Sequence, residues 1–134
     1  MQPFHLERIA LQPNQAWLGP TCRDPAYGEV LASHESYAMV DGDEVLGCAG
    51  IVPWGPNVLA WALLSGKRLL ATHKAVRTFL AMCDHRRIET WVDDGFAEGH
   101  RWAVMLGFQP EGLMRRHRED ADVWLYARVK GGEA

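Results

Sequence analysis

Apolar residues recur along the chain with two different periods, which predict strands in some segments and helices in others. Alternating or short, wholly apolar runs predict strands at residues 4–11, 36–40, 45–52, 58–64, 88–93, 108–114 and 123–129. Helical spacing predicts helices at residues 25–33, 69–84 and 96–106. The resulting order of elements is typical of an α+β fold with a mixed sheet.

Turn residues separate these elements. An Asp-Gly pair inside Asp41-Gly42-Asp43 predicts a tight hairpin between two strands, and residues 53–56 predict a second turn. Thr21 or Asp24 is the expected cap of the first helix, whose apolar stripe would be Tyr27, Val30 and Leu31. Gly107 is expected to end the third helix. Residues 115–122 are expected to form a charged hairpin loop.

One stretch, residues 58–83, changes from strand to helix through the small basic connection Ser65-Gly66-Lys67-Arg68. In the helix, an apolar stripe of Leu69, Val76, Phe79, Leu80 and Cys83 is expected. A helix start offers free backbone N–H groups and a positive dipole end, which favour an anion such as a phosphate. The alternative is a plain strand-to-helix connector.

Composition and charge exclude several classes of protein. The 134 residues fit a single domain, 1–134, and a net charge of −3 argues against binding to nucleic acid. No apolar run reaches the ~20 residues that span a bilayer, and residues 1–10 do not resemble a signal peptide. Three cysteines, an odd number without paired spacing, fit reduced thiols in the cytoplasm.

The segment before the sixth predicted strand carries a family resemblance. Residues 97–108 read AEGHRWAVMLGF, and a Leu-Gly-Phe ending after this order of elements resembles the GNAT N-acetyltransferase superfamily. Within it, the Trp-x-Leu-Leu run at residues 61–64 and the Arg-Trp-x-x-x-Leu-Gly-Phe ending at residues 101–108 are most similar to small GNAT-like proteins of podoviruses, such as internal virion protein A and phage acetyltransferase-like proteins. The resemblance implies a mostly antiparallel central sheet flanked by helices.

The resemblance also implies acetyl-CoA as co-substrate, lying where the fourth and fifth predicted strands splay apart. It implies that the backbone of Ala62, Leu63 and Leu64 would bond the pantetheine arm. The diphosphate would lie on amides at the start of the central helix. Those amides belong to Ser65, Gly66, Lys67, Arg68, Leu69 and Leu70.

Two departures from the family pattern affect catalysis. The phosphate loop has one glycine, and Ala103 and Phe96 stand where many members carry a Tyr and an Asn. The usual acid is therefore replaced, and acetyl transfer to an amine would need another base and donor. Residue types and positions suggest Glu35, Glu89, His100 and Tyr126, with His34 and Asp93 as further bases.

Other residue types suggest no further chemistry. The six histidines show no metal-ligand spacing, so no metal site is expected. Cys48 and Cys83 lie in apolar runs and are expected to be small core residues. The basic cluster at residues 115–118 is expected to be a solvated hairpin tip, or else a contact for an acidic partner.

Two functions remain open from the sequence. One is an acetyl-CoA-dependent N-acetyltransferase, phage-encoded and active in the host cytoplasm, that modifies an amine on a protein or small molecule. The other is a catalytically inactive GNAT-fold module that docks on a host or virion protein. Calorimetry with acetyl-CoA distinguishes them.

Overall fold

The computed structural model describes residues 1–131 and contains five α-helices and six strands in that range. The helices are α1 (Pro3–Arg8), α2 (Gly19–Arg23), α3 (Pro25–Ala32), α4 (Leu69–Met82) and α5 (Ala97–Met105), and Pro13–Leu18 is a 3-10 turn. The strands are β1 (Ser36–Asp41), β2 (Glu44–Trp54), β3 (Asn57–Leu64), β4 (Arg87–Asp93), β5 (Gln109–Arg118) and β6 (Ala121–Val129). The sheet order is β1-β2-β3-β4-β6-β5. The predicted α+β fold with a mixed, mostly antiparallel sheet is confirmed.

The described chain divides into two compact units. The first comprises Met1–Val52 and Trp61–Ala81; the second comprises Pro53–Ala60 and the described residues from Met82 onward. Strands β2 and β3 each contribute residues to both units. The prediction of a single domain over residues 1–134 stays a prediction.

The first unit has its own apolar core beneath the N-terminal helices. Residues of α1, α2, α3, β2 and β3 meet there, namely Leu6, Ile9, Cys22, Leu31, Val45, Cys48 and Leu63. Leu6 and Ile9 are both buried and lie three residues apart, which is a helical spacing. The predicted strand at residues 4–11 is therefore wrong, because this segment begins as α1, with Pro3 in its first turn.

The N-terminal cap of helix α3 is Asp24. The Asp24 carboxylate accepts a hydrogen bond from the Ala26 amide at 3.0 Å, whereas Thr21 lies inside α2. Pro25 follows in the first helical position, which its fixed φ favours. Leu31 is buried as predicted, but Val30 is 58% exposed, so its assignment to the apolar stripe is wrong.

The predicted hairpin is confirmed. Strands β1 and β2 pair antiparallel, with Asp41 opposite Glu44, so Gly42 and Asp43 form a two-residue turn. Helix α4 follows β3 as predicted, although it ends at Met82. Its buried side chains are Thr72 and Leu80, while Leu69 is 49% exposed and does not belong to the stripe.

The second unit is built on three strands. β4 pairs antiparallel with β6 along its whole length, and β6 pairs with β5. β3 lies parallel to β4 through the pairs Val58–Ile88 and Leu59–Glu89. The predicted loop at 115–122 is wrong, because β5 continues to Arg118 and only Glu119 and Asp120 turn the chain.

Helix α5 packs on this sheet through its small residues, Gly99 and Ala103. The helix ends at Met105 and Gly107 has a φ of +94°, as predicted for the terminating glycine. Across the described residues 1–131, no helix is long and apolar enough to cross a membrane.

Candidate functional site

The junction between β3 and α4 lies in the first unit and is open to solvent. Gly66 has a φ of +83°, which favours glycine, and Arg68 has a φ of +51° just before the helix. The Lys67 amide donates to the Ser65 hydroxyl at 3.2 Å, closing a small turn. The first bond of the helix runs from the Thr72 amide to the Arg68 carbonyl, so the amides of residues 69–71 precede it.

Two cations flank this junction, as the sequence predicts. Lys67 pairs with Glu44 at 3.1 Å and Arg68 with Asp41 at 3.3 Å, and all four side chains are about half or more exposed. Exposed ion pairs contribute only about 0–1 kcal/mol to stability. A phosphate that replaced Glu44 or Asp41 as the partner of its cation would therefore sacrifice little stabilising free energy.

Backbone groups along one edge of β3 are hydrogen-bonded to residues in or next to the 3-10 turn. The Gln15 carboxamide donates to the Ala62 carbonyl at 2.7 Å and accepts from the Leu64 amide at 2.9 Å. The Gln12 amide donates to the Leu64 carbonyl at 2.8 Å. Neither glutamine is predictable as a partner of β3 from the sequence, because both lie about fifty residues from β3 along the chain and belong to no periodic pattern.

Trp61, next to this strand edge, packs against the core of the first unit. Its indole Nε1 is buried and, among the described residues, has no hydrogen-bond partner. A buried donor left without an acceptor costs about 1–3 kcal/mol.

In the second unit, two of the predicted catalytic residues are in direct contact. His100 on α5 and Tyr126 on β6 share a hydrogen bond of 2.7 Å between Nδ1 and the hydroxyl. His100 Nε2 lies 3.0 Å from the Asp93 carbonyl and 3.1 Å from the Asp94 carbonyl. Both carbonyls only accept, so Nε2 carries a hydrogen, and in neutral His100 the Tyr126 hydroxyl donates to Nδ1.

Asp93 and Asp94, whose carbonyls contact His100, are held in turn by bonds to their own side chains. Arg118 forms a two-pronged ion pair with Asp93, at 2.7 and 3.2 Å. The Trp124 indole donates to the Asp94 carboxylate at 2.7 Å. Burial raises the pKa of the Tyr126 phenol, so this hydroxyl keeps its proton well beyond neutral pH.

Glu89 and Glu35, the two predicted carboxylate bases, lie in different settings. Glu89 on β4 is largely buried and pairs with Arg87 at 3.0 Å, and Arg87 also binds both oxygens of Glu111. Glu35 is exposed in the first unit and accepts from the Tyr37 hydroxyl at 3.0 Å. The structure therefore joins His100 to Tyr126 but brings neither carboxylate to that pair through the contacts it describes.

An aromatic cluster in the second unit was not predicted as a group. The Trp91 ring makes edge contacts with Trp54, at a centroid distance of 5.2 Å, and with His117, at 4.6 Å. The three residues come from β4, β2 and β5, so only tertiary structure brings them together.

Metal and thiol chemistry find little support in the described residues. Within residues 1–131, no cluster of three or more histidine, cysteine or acidic side chains could hold a metal ion. Cys48 is buried, and burial raises its pKa to about 12, so it is a core residue as predicted. Cys83 is half-buried.

Comparison with known sequences and with known structures gives different results. No family model matches the sequence, and no curated protein matches it. Solved structures do match. A GNAT-family acetyltransferase of Bacillus cereus superposes with a TM-score of 0.72 at 11% identity, over 97% of this chain and 94% of that one.

Two further acetyltransferase structures agree. A GNAT-family acetyltransferase of Bacillus anthracis gives a TM-score of 0.66 at 11% identity, over 96% of this chain and 91% of that one. The yncA protein of Salmonella typhimurium, solved with its cofactor acetyl-CoA, gives 0.65 at 14% identity, over 85% and 76%. The resemblance to podovirus proteins stays a prediction. The chain has the fold of the GNAT-family acetyltransferases.

Proposed function

We propose that the protein is an acetyl-CoA-dependent N-acetyltransferase that modifies an amine on a protein or a small molecule. The observation that carries this proposal is the exposed junction between β3 and α4, where the amides of residues 69–71 precede the first helical hydrogen bond and two cations flank them. Amides at a helix start and cations together favour a diphosphate such as that of acetyl-CoA. The GNAT fold and a neighbour solved with acetyl-CoA support the same ligand.

The reaction requires two proton transfers. The amine must lose a proton before it attacks the thioester carbonyl, and the departing thiolate must gain one. We propose His100 and Tyr126 as the donor pair, because their hydrogen bond lets the phenol give its proton to the thiolate while imidazolium Nδ1 passes a proton to the phenol oxygen. Glu89 and Glu35 are the proposed bases, either of which would take the proton that the amine loses.

Calorimetric titration with acetyl-CoA tests ligand binding. The double variant Lys67→Glu/Arg68→Glu should bind at least about tenfold more weakly, because it removes two charge-assisted contacts to phosphate. The matched control, Lys74→Glu/Arg77→Glu, makes the same charge change at exposed positions farther along α4 and should stay within about threefold. Undetectable binding to the unaltered protein at millimolar ligand would contradict the proposal.

Transfer itself is tested by mass spectrometry of a lysate incubated with the protein and acetyl-CoA. His100→Gln and Tyr126→Phe should each slow acetyl transfer about 10²-fold or more while leaving acetyl-CoA affinity unchanged. Unchanged rates in both variants would remove the pair from the mechanism and leave the carboxylates as candidates.

One observation favours the alternative of an inactive GNAT-fold module that docks on a host or virion protein. The β3 edge is already hydrogen-bonded by Gln12 and Gln15, and both junction cations are already ion-paired. A module of this kind would bind neither acetyl-CoA nor CoA, so the same titration separates the two functions. Phage origin and a role in the host cytoplasm or virion belong to this proposal too.

A further inference from the structure

The Gln15 side chain binds β3 as an external ligand would. Its single carboxamide reaches the Ala62 carbonyl and the Leu64 amide, using one donor and one acceptor on the same strand edge. The Gln12 backbone amide adds a third bond, to the Leu64 carbonyl. An extended chain that adds to a sheet edge uses the same donors and acceptors.

A pantetheine arm is an extended chain with two secondary amides, so it offers these groups as well. The Leu64 amide has one hydrogen, which it now donates to Gln15. A ligand carbonyl can accept that hydrogen only after Gln15 withdraws. Occupation of this edge by Gln15 and by a pantetheine arm is therefore mutually exclusive.

We propose that Gln15, assisted by Gln12, is an internal competitor that must leave the β3 edge before the pantetheine arm of acetyl-CoA binds. The inference rests on the proposed function, because it assumes acetyl-CoA as the ligand. It makes the 3-10 turn Pro13–Leu18 a displaceable cap, and cofactor affinity then includes the cost of displacing it.

Few buried contacts hold the 3-10 turn in place. Pro13–Leu18 is a single short 3-10 segment that contains no fully buried residue: Pro13, Asn14, Ala16 and Trp17 are exposed, and Leu18 at its end packs against the core of the first unit. Segments with little buried apolar surface open locally at low free energy. The bonds to β3 are thus among the main contacts that the turn would give up.

Calorimetric titration of four proteins with two ligands tests this cap. The proteins are the unaltered chain, Gln15→Ala, Gln15→Met and the control Asn14→Ala, which changes an exposed neighbour in the same turn. The ligands are acetyl-CoA and ADP, which carries the diphosphate but no pantetheine arm. Gln15→Met keeps the length of the side chain without its amide, in case Gln15→Ala does not fold.

Removal of the carboxamide should tighten acetyl-CoA binding about fivefold to thirtyfold, the equivalent of one or two net hydrogen bonds. ADP affinity should be unchanged in all four proteins, and Asn14→Ala should behave as the unaltered chain. Equal or weaker acetyl-CoA binding in both Gln15 variants, with the unaltered chain still binding, would overturn the cap alone. Failure of every protein to bind acetyl-CoA would overturn both the cap and the proposed function.

Discussion

Cys48 shows how burial of one thiol makes stability depend on pH. Burial raises its pKa from 9.0 to about 12, so the folded chain keeps this proton at pH values where the unfolded chain releases it. The stabilisation is complete below about pH 9 and is lost as the pH rises toward 12.

Substitution of Cys48 by Ala makes this effect measurable. Relative to the Cys48→Ala variant, the unaltered protein should lose about 2 kcal/mol of unfolding free energy between pH 7.5 and 10.5, because one pKa unit corresponds to about 1.4 kcal/mol. Urea titrations of both proteins at the two pH values give the comparison. A difference between the proteins that does not change with pH would refute it.

For single residues, the chemistry that a side chain could perform was predictable from the sequence, but its hydrogen-bond partner was not. His100 and Tyr126 are identifiable as proton donors from chemistry alone, yet they lie 26 residues apart and meet only because α5 packs beside β6. The amide of Gln15 has no signature in the sequence, since glutamine is ordinary in any exposed turn. Contacts of this kind depend on tertiary geometry.

Among the elements, the packing of α1 on α3 depends on one small residue. A Cβ atom on Gly28 would lie 2.8 Å from the Pro3 carbonyl oxygen, and backbone cannot move aside as a flexible side chain can. Gly28→Ala should therefore lower the unfolding free energy by about 1–3 kcal/mol, the usual cost of overpacking. Urea denaturation measures it.

Gly95→Ala is the matched control for that variant. Its added methyl would meet nothing within 4 Å. Its effect should lie within about 0.5 kcal/mol, as for most surface changes. Equal effects of the two substitutions would show that the close approach of the helices does not matter.

Arg87 links two strands of the second unit. It pairs with Glu89 on its own strand and with both carboxylate oxygens of Glu111 on β5, and its side chain is only 27% exposed. Arg87→Ala should cost about 1–3 kcal/mol of unfolding free energy, between the values typical of exposed and buried pairs. Lys67→Ala, which breaks the exposed pair with Glu44, should cost less than about 1 kcal/mol.

The ion pair between Arg87 and Glu111 should make the stability of the fold depend on pH in the acidic range. Arg87 lowers the pKa of the Glu111 carboxyl, so this pair stabilises the fold above the ordinary glutamate pKa, and the contribution is lost as the pH falls below it. Glu111→Gln should therefore show a weaker loss of stability on acidification than the unaltered protein. Thermal melts across that range decide the matter.

Elements were predictable where turn chemistry is explicit. The Asp-Gly pair fixed the hairpin of β1 and β2, and Pro25 after Asp24 fixed the start of α3. Residues 4–11 were misassigned because Phe4 and Leu6 lie two residues apart, as on one face of a strand, yet Leu6 is buried and Phe4 is 42% exposed. The charged sequence at 115–118 suggested a loop, yet an edge strand tolerates charge.

For the whole molecule, strand continuity predicts cooperative unfolding. β2 and β3 each pass from one compact unit to the other without a break, so neither unit can lose its strand without disturbing the other. Thermal unfolding should show one transition, with coincident midpoints by tryptophan fluorescence and by far-UV circular dichroism. Two separated transitions would instead divide the chain into independent domains.

The fold as a whole was predictable because element order and the Leu-Gly-Phe ending both point to one architecture. Matching structures share as little as 7% of their residues with this chain, so pattern and topology persist where identity does not. The candidate site was predictable only in part. The open junction between β3 and α4 follows from local sequence, whereas the hydrogen bonds of the distant Gln15 to the neighbouring edge of β3 do not.

The edge contact between Trp54 and Trp91 has an optical consequence. Two indoles at a centroid distance of 5.2 Å and an interplanar angle of 83° couple their excited states. Circular dichroism should then show a paired positive and negative band, which disappears when either ring is replaced. This intrinsic chromophore would report directly, without any added label, whether the end of β2 keeps its place against β4.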